Sequence, residues 1–327
     1  MGGPDVHGPD LSILILSWNT KDLTLACLDA LQQDETRYSR EVLVLDNGSQ
    51  DGSADAVEAF CKEHRGYRLL REEENLGYAI GNNRAAAEAT GRYLCLLNSD
   101  TEVRPGALDR LVAFLESQVE KQPEGQAFGW AVSPRLVHPD GRTQSACKRI
   151  PGLSVALVYD LPWARWPGFR RIDDAYYYRD FDHESSRCVE QPPGACFVIA
   201  RDLWQELGGF DEELWLFYND VDLCKRLADR GGRIQYLADA EVLHHEGAST
   251  RNFTKMVPVW ARNRISYYRK HHGLLGAFMV RMMIRIRGWV EWWRLGARHR
   301  DPAEKRAARR ELSRVLHEAL GGKPQES

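Results

Sequence analysis

The stretch LCLLNSDTEV, residues 94–103, runs apolar as far as Leu97 and then turns polar at Asn98, Ser99 and Asp100. With Tyr93 before it, the run has strand length and no polar alternation, the pattern of a strand covered on both faces. Such strands sit in sheets whose ligands bind outside the carboxyl ends of the strands. Asp100 is therefore a carboxylate held at the tip of a rigid, buried element, where a ligand would meet it.

The chain on either side repeats the pattern. LSILILS (11–17), EVLVLD (41–46) and YRLLRE (67–72) are further apolar runs, separated by DLTLACLDALQQ (22–33) and SADAVEAFCKEH (53–64), whose apolar residues recur at helical spacing. This alternation predicts an α/β fold, a mostly parallel central sheet flanked by helices on both faces. The polar clusters all follow strands: Trp18-Asn19, Asp46-Asn47-Gly48-Ser49, Asn75-Leu76-Gly77 and Asn98-Ser99-Asp100. Further on come WAVSPRL (130–136), ACFVIARDLWQELGGF and IQYLADAEVLHHEGAST. The aromatic-rich segment 155–190 between them has no clean period, and is expected to be either a substrate-facing loop or a surface insertion.

Composition bounds the class. The 327 residues, 43% hydrophobic and 28% charged, suit one large globular domain with an appendage and exclude general disorder. MGGPDVHGPD (1–10) has neither a basic nor an apolar signal region, so a flexible lead-in and a cytoplasmic protein are expected. The cysteines Cys27, Cys61, Cys95, Cys147, Cys188, Cys196 and Cys224 form no C-x-x-C pair and read as reduced, small hydrophobes. Charge is unevenly placed: residues 255–314 hold sixteen Lys/Arg and four Asp/Glu, leaving 28 basic and 43 acidic residues elsewhere. A body near −15 thus carries a tail near +12, and the tail is expected to meet an anionic surface.

Taken in order, LSILILSWN, VLVLDNGSQDGS, ENLGYAIGNNRA, YLCLLNSDTEV, PPGACFVIARDLWQELGGFDEELWLFYNDVDLCKRL and VLHHEGAST resemble the family-2 inverting glycosyltransferases of the A-type nucleotide-sugar fold, closest to their rhamnosyltransferase branch. The resemblance spans about residues 11–250. It implies a catalytic domain over 11–250, with a nucleotide-binding half (11–105) and an acceptor half (106–250), followed by a basic helical extension (251–327). It also implies a nucleotide-diphosphate sugar as donor, dTDP-rhamnose at branch level, and a cell-envelope or polysaccharide glycan, free or lipid-linked, as acceptor. No nucleic acid partner is expected.

Breaking the bond between sugar and diphosphate leaves added negative charge on the leaving group, which a divalent cation, Mg²⁺ or Mn²⁺, neutralises. The family's D-x-D at the fourth strand is matched by Asn98-Ser99-Asp100, which assigns the cation to Asp100 and leaves Asn98 to a ribose or a water. By the same resemblance Ser17, Asn19, Asp46, Asn75, Gly77, Asn83, Asn98, Ser99, Gly194 and Ala195 line the donor. Ser49 and Asp51 also suit a plain turn and helix cap, and Asn83 a polar helix face. Tyr218-Asn219-Asp220-Val221-Asp222-Leu223 matches the E-D-x-D-L segment and assigns the catalytic base to Asp220. Asn219 stands where Glu is commoner, and Asp222 is the alternative base. VLHHEGAST matches H-x-x-G-x-S, selecting His244 over His245 as a further metal ligand, with Gly247 and Ser249 completing the motif.

The tail segment 273–293, GLLGAFMVRMMIRIRGWVEWW, contains Arg281, Arg285 and Arg287, too many charges for a relaxed membrane span. As a helix it has an apolar half with Trp289 and Trp293 and a basic half, suiting either the face of an anionic membrane or a packed interface such as a homodimer. A peripheral position on the inner face of the cell membrane follows from the first. A sugar nucleotidyltransferase would open on a basic Gly-rich loop, which LSWNTKD lacks, and a processive synthase would need membrane spans and Q-x-x-R-W. A non-catalytic nucleotide-sugar-binding or scaffold protein is the reading from another class, favoured by Asn98 and Asn219.

Overall fold

The computed structural model describes residues 8–121, 129–159, 161–245, 253–298 and 301–321. Gly247 and Ser249, and most of the 1–10 lead-in, lie outside them.

The first apolar runs become β1 (Leu11–Ser17), β2 (Arg40–Asn47), β3 (Tyr67–Glu72) and β4 (Tyr93–Asn98). They are joined by α1 (Lys21–Gln33), α2 (Ser53–Glu63) and α3 (Tyr78–Ala87). Each crossover spends a helix returning the chain to the same edge, so β3-β2-β1-β4 are adjacent and parallel. Their register sets Ser17 beside Asp46, Leu16 beside Asn98, and Asn47 beside Glu72. The polar strand tips thereby share one edge.

Past β4 the sheet continues with β8 (Cys196–Ala200), then β6 (Trp130–Val137), β9 (Arg233–His244) and β5 (Thr101–Val103), while β7 (Arg187–Val189) pairs with β9. β8 runs antiparallel to both β4 and β6, β6 and β9 are parallel, and β5 and β7 oppose β9. Among the described residues six of nine strands therefore point one way, and β8 is inserted against them. The chain reaches β8 from a long excursion and not from a sheet-crossing helix, so nothing imposes the parallel sense there. The register of β6 on β9 shifts between Pro134 and Arg135, where proline removes a ladder donor.

The core lies between this sheet and its helices. Ile13, Ile15, Val42, Val44, Cys95, Leu97, Val132 and Val198 pack against Leu28 and Leu31 of α1 and Leu108 and Leu111 of α4 (Ala107–Lys121). Each such side chain contributes about 1.5–3 kcal/mol by burial. Cys27 belongs to the same core, and burial pushes its thiol up to about 12, which removes it from nucleophilic chemistry at neutral pH.

The chain divides into two compact units: residues 1–149, 181–212 and 219–251 carry the sheet, and residues 150–180, 213–218 and 252–327 form the second. The second contains α5 (Leu153–Val158), a 3-10 turn (Pro162–Arg165), α6 (Pro167–Tyr176), α9 (Phe253–Arg298) and α10 (Pro302–Ala319). Much of the segment without a clean period thus consists of elements of four, six and ten residues, too short for a period to show. Its aromatics find partners within the unit. Arg264 is buried with its guanidinium 4.9 Å over Tyr159, 5.4 Å over Trp260 and 5.9 Å over Tyr268, a cation faced by rings. α9 is interrupted at Gly273, whose φ of 64° and ψ of −161° only glycine adopts easily.

Candidate active site at the carboxyl edge of the sheet

The loops after β1, β2 and β3 are stitched by side-chain amides and carboxylates. Asn19, at a φ of 52°, donates its N–H to Ser49 Oγ (2.9 Å) and accepts from the Gln50 N–H (2.7 Å). Asn47 donates to Asn75 Oδ1 (3.0 Å) and accepts from the Leu76 N–H (2.9 Å), while Asn75 Oδ1 also accepts from the Gly77 N–H (2.9 Å). Gly48 sits at a φ of +74°, where an added Cβ would lie 2.8 Å from the Glu74 backbone, so only glycine lets the loops close this far. Asp46 is buried: Oδ1 accepts from the Ser49 N–H (3.0 Å), and Oδ2 has no hydrogen bond. A buried, unsatisfied carboxylate oxygen costs free energy unless a ligand donor reaches it.

At the tip of β4 a buried hydroxyl cluster, Ser17, Thr20, Thr24 and Ser99, ties the β1 and β4 ends together, with Thr20 Oγ1 3.1 Å from Ser99 Oγ. Ser17 and Ser99 are therefore engaged with the protein. Asn98 Oδ1 lies 3.2 Å from the Tyr78 hydroxyl, which is also 3.2 Å from the Gly194 carbonyl, and the Asn98 N–H donates to the Ala195 carbonyl (2.9 Å). Tyr78, Asn98, Gly194 and Ala195 thus form one knot. Burial, then the charges of Asp220 and Asp100, hold the Tyr78 phenol far above its ordinary value. It stays a donor, in the field of both carboxylates that the sequence singles out.

Asp100 is buried with Oδ1 free of hydrogen bonds, and His244 Nε2 stands 3.5 Å from that oxygen. β5 pairs antiparallel with the end of β9, setting Thr101 beside His244. Gln144 sets the ring: His244 Nδ1 donates to Gln144 Oε1 (3.0 Å), and Gln144 Nε2 donates to the His244 carbonyl (2.9 Å). In the neutral ring this leaves the Nε2 lone pair facing a carboxylate oxygen, a pair of donors that a cation would join. His245, one residue on, instead pairs through Nε2 with Glu102 Oε1 at 2.7 Å. Among the described residues no third His, Cys, Asp or Glu completes a cluster of metal-ligating groups. Two protein donors still fit a hard divalent cation whose remaining positions go to diphosphate oxygens and water.

The second carboxylate cluster opens α8 (Asn219–Asp229), just after Tyr218 at a φ of 65°, a strained conformation for a bulky residue. Asp220 Oδ1 accepts from the Val221 N–H (2.8 Å) and Oδ2 from Gln191 Nε2 (3.4 Å). Gly194 crowds it: an added Cβ would stand 3.4 Å from Asp220 Cβ. An apolar crevice behind it is lined by Leu96, Phe197, Phe210, Leu223 and Cys224. Burial raises the Asp220 carboxyl above the usual range, against opposing pulls from the Val221 N–H, the Lys148 charge and Gln191. Gln191 Oε1, itself buried, has no hydrogen bond.

Asp222 is fully buried and committed to Arg226 Nε at 2.7 Å. The Arg226 guanidinium goes on to the carbonyls of Leu207, at the end of α7 (Arg201–Leu207), and Gly209. Asn219 is buried, and its Oδ1 accepts from the Asp220 N–H (2.7 Å). The Asn83 amide is spent on the Phe210 backbone, donating to its carbonyl (2.9 Å) and accepting from its N–H (2.9 Å), and on Glu212. Asp222 and Asn83 thus support the site's framework. Tyr78, Gln144 and Gln191 escaped the sequence reading. Tyr78 opens α3 inside the quoted ENLGYAIGNNRA motif and was visible in principle; the glutamines lie in loops with no local signal.

Residues 12–120 match the family model described as glycosyl transferase family 2. An N-acetylglucosaminyl-diphospho-decaprenol L-rhamnosyltransferase of Mycobacterium tuberculosis is 28% identical over 264 residues, 77% of this chain and 76% of that protein. The O-antigen biosynthesis protein RfbC of Myxococcus xanthus is 32% identical over 246 residues, 74% of this chain and 18% of its own length. In fold, the chain is similar to a mannosyltransferase from Pyrobaculum calidifontis solved with GDP-mannose and Mn²⁺, with a TM-score of 0.54, 18% identity, and 96% and 86% of the two chains covered. Together these matches support a family-2 glycosyltransferase of the rhamnosyltransferase-like branch. The protein is an enzyme of sugar transfer with the A-type architecture.

Proposed function

We propose that this enzyme is a divalent-cation-assisted inverting transferase that moves a sugar, rhamnose from a dTDP donor, to a hydroxyl of a cell-envelope glycan or its lipid-linked precursor. The observation that carries this is the pairing of roles along one edge. Asp46 and Asp100 each present a buried carboxylate oxygen without a hydrogen bond, and Asp220 is a carboxyl whose affinity for protons is raised by burial. Rhamnose and the acceptor class rest on what the names of the relatives say. The cation rests on the donor pair Asp100 and His244 and on the Mn²⁺ bound by a protein of the same fold.

Asp46 Oδ2 accepts from a ribose hydroxyl or base N–H, and Asp100 Oδ1 with His244 Nε2 would hold the cation. When bound, the cation neutralises charge on the departing diphosphate. Asp220 accepts the acceptor hydroxyl proton as that oxygen forms its bond to the anomeric carbon; the bond from that carbon to the phosphate oxygen breaks, and the diphosphate leaves with the electron pair. Gln191 and Gly194 hold Asp220 in place, Tyr78 keeps Asn98 and Gly194 aligned, and the crevice behind Asp220 excludes water.

The test is a panel of nucleoside-diphosphate sugars, each with Mg²⁺, Mn²⁺ or chelator, read first by thermal shift and then by transfer to a polyprenyl-diphosphate N-acetylglucosamine mimic. A cation-dependent shift and product of inverted anomeric configuration with dTDP-rhamnose are expected. A shift or transfer indifferent to chelator removes the cation, and preference for another sugar removes rhamnose.

A further inference from the structure

The part of α9 beyond Gly273 is apolar on two sides. Ala277, Val280, Met283 and Ile284 are buried, yet Leu274, Leu275, Phe278, Trp289 and Trp293 are 79%, 61%, 60%, 64% and 56% exposed. At the α-helical rotation these five fall within about 100° of the helix surface and along about 28 Å of its axis. Exposed apolar stripes of this extent are uncommon on monomers and mark something that covers them.

Charge says what covers it. Arg285 projects within the stripe and Arg281 borders it, both able to carry their heads to a polar interface while their stems lie on apolar groups. Where α9 meets α10 the stripe runs into a basic groove of about 680 Å³ lined by Arg306, Arg309, Arg310, Ser313, Arg314 and His317. The join is direct: the Arg309 guanidinium lies 3.4 Å over the Trp292 ring, which is 5.4 Å from Trp293, which is 6.2 Å from Trp289. Two copies meeting through this face would bring together tails with sixteen basic and four acidic residues each, a like-charge contact. Among the described residues no helix is long and apolar enough to cross a membrane.

We propose that the stripe of α9, continued by the arginine groove of α10, docks flat on an anionic lipid bilayer, the aromatic rings at the level of the headgroups and the guanidinium groups on their phosphates. Rings supply attachment that salt leaves intact, and arginines supply attachment that salt screens.

Flotation of the full chain with vesicles of phosphatidylcholine alone, or mixed with phosphatidylglycerol, tests this. Truncation at the tail is unsuitable, because Ala261, Ile265, Tyr267 and Tyr268 of α9 are core residues. Surface variants serve instead, each checked for an unchanged melting temperature. The wild type is expected on anionic vesicles only, partly released by high salt, with a blue shift of tryptophan emission. Trp289→Ala with Trp293→Ala loses the salt-resistant fraction and the shift; Arg306→Glu with Arg310→Glu loses the preference for anionic lipid. Equal binding to neutral vesicles overturns the proposal. So does absence from all vesicles, including the case where a solution dimer is dissolved by the tryptophan substitutions.

Discussion

His244 Nε2 lies 3.5 Å from Asp100 Oδ1, a buried oxygen that no hydrogen bond reaches. With Nδ1–H bound to Gln144, the Nε2 lone pair and the carboxylate would face each other as two acceptors, an arrangement that a cation between or beside them stabilises. Asp100→Ala is therefore expected to remove the cation-dependent rise in melting temperature on adding donor, while the ligand-free protein melts no lower than the wild type. An unchanged cation response would separate Asp100 from the metal.

Gln144 acts on that pair through the ring it holds. Gln144→Ala is expected to weaken the response to Mn²⁺ by about 10–100-fold, the scale for partners that orient a metal ligand, with little change in donor affinity under chelator. Titration of the shift against Mn²⁺ reads this, and identical midpoints would reduce Gln144 to a packing residue.

His244 and His245 separate on the same assay. His244→Ala should abolish cation dependence, whereas His245→Ala breaks only a half-exposed pair with Glu102, an effect of about 0–1 kcal/mol on stability. The reverse ranking would move the ligand by one residue.

Asp220→Asn is expected to keep donor binding and lose transfer by about 10²-fold or more. Because burial raises this carboxyl, the acid limb of kcat/KM falls above the ordinary aspartate value of about 3.9. The stability sign is opposite to that of a salt-bridged aspartate. The folded state holds the proton more tightly than the unfolded one, so Asp220 costs stability as pH rises from the unfolded through the folded pKa. Asp220→Asn should then melt no lower than the wild type at neutral pH. A limb that stays put in the variant would assign it to another group.

Asp222→Ala is expected to fail differently. It strands Arg226, whose guanidinium also ties Leu207 and Gly209, and loss of one partner of a buried pair costs about 3–5 kcal/mol. A large drop in melting temperature should accompany any loss of activity; a dead but fully stable Asp222 variant would restore it as the base.

The sequence by itself determined the sheet edge and its polar tips. Strands covered on both faces are continuous apolar runs, and the residue after each run necessarily lies at its end, so Asp46 and Asp100 could be placed from local pattern alone. The order of motifs singled out Asp220 and His244 by resemblance. Only tertiary structure decided which side chains face one another. Asp220 stands against Gln191 and Gly194 while Asp222 turns to Arg226, and His244 meets Asp100 while His245 meets Glu102. Neighbouring residues of like chemistry carry no local mark of the face they take. The inverted β8, the glutamines that hold Asp220 and His244, and the aromatic packing of residues 150–180 likewise depend on partners distant in the chain. Burial and contact with such partners are set by the folded core, because a chain read residue by residue has no term for what arrives from elsewhere.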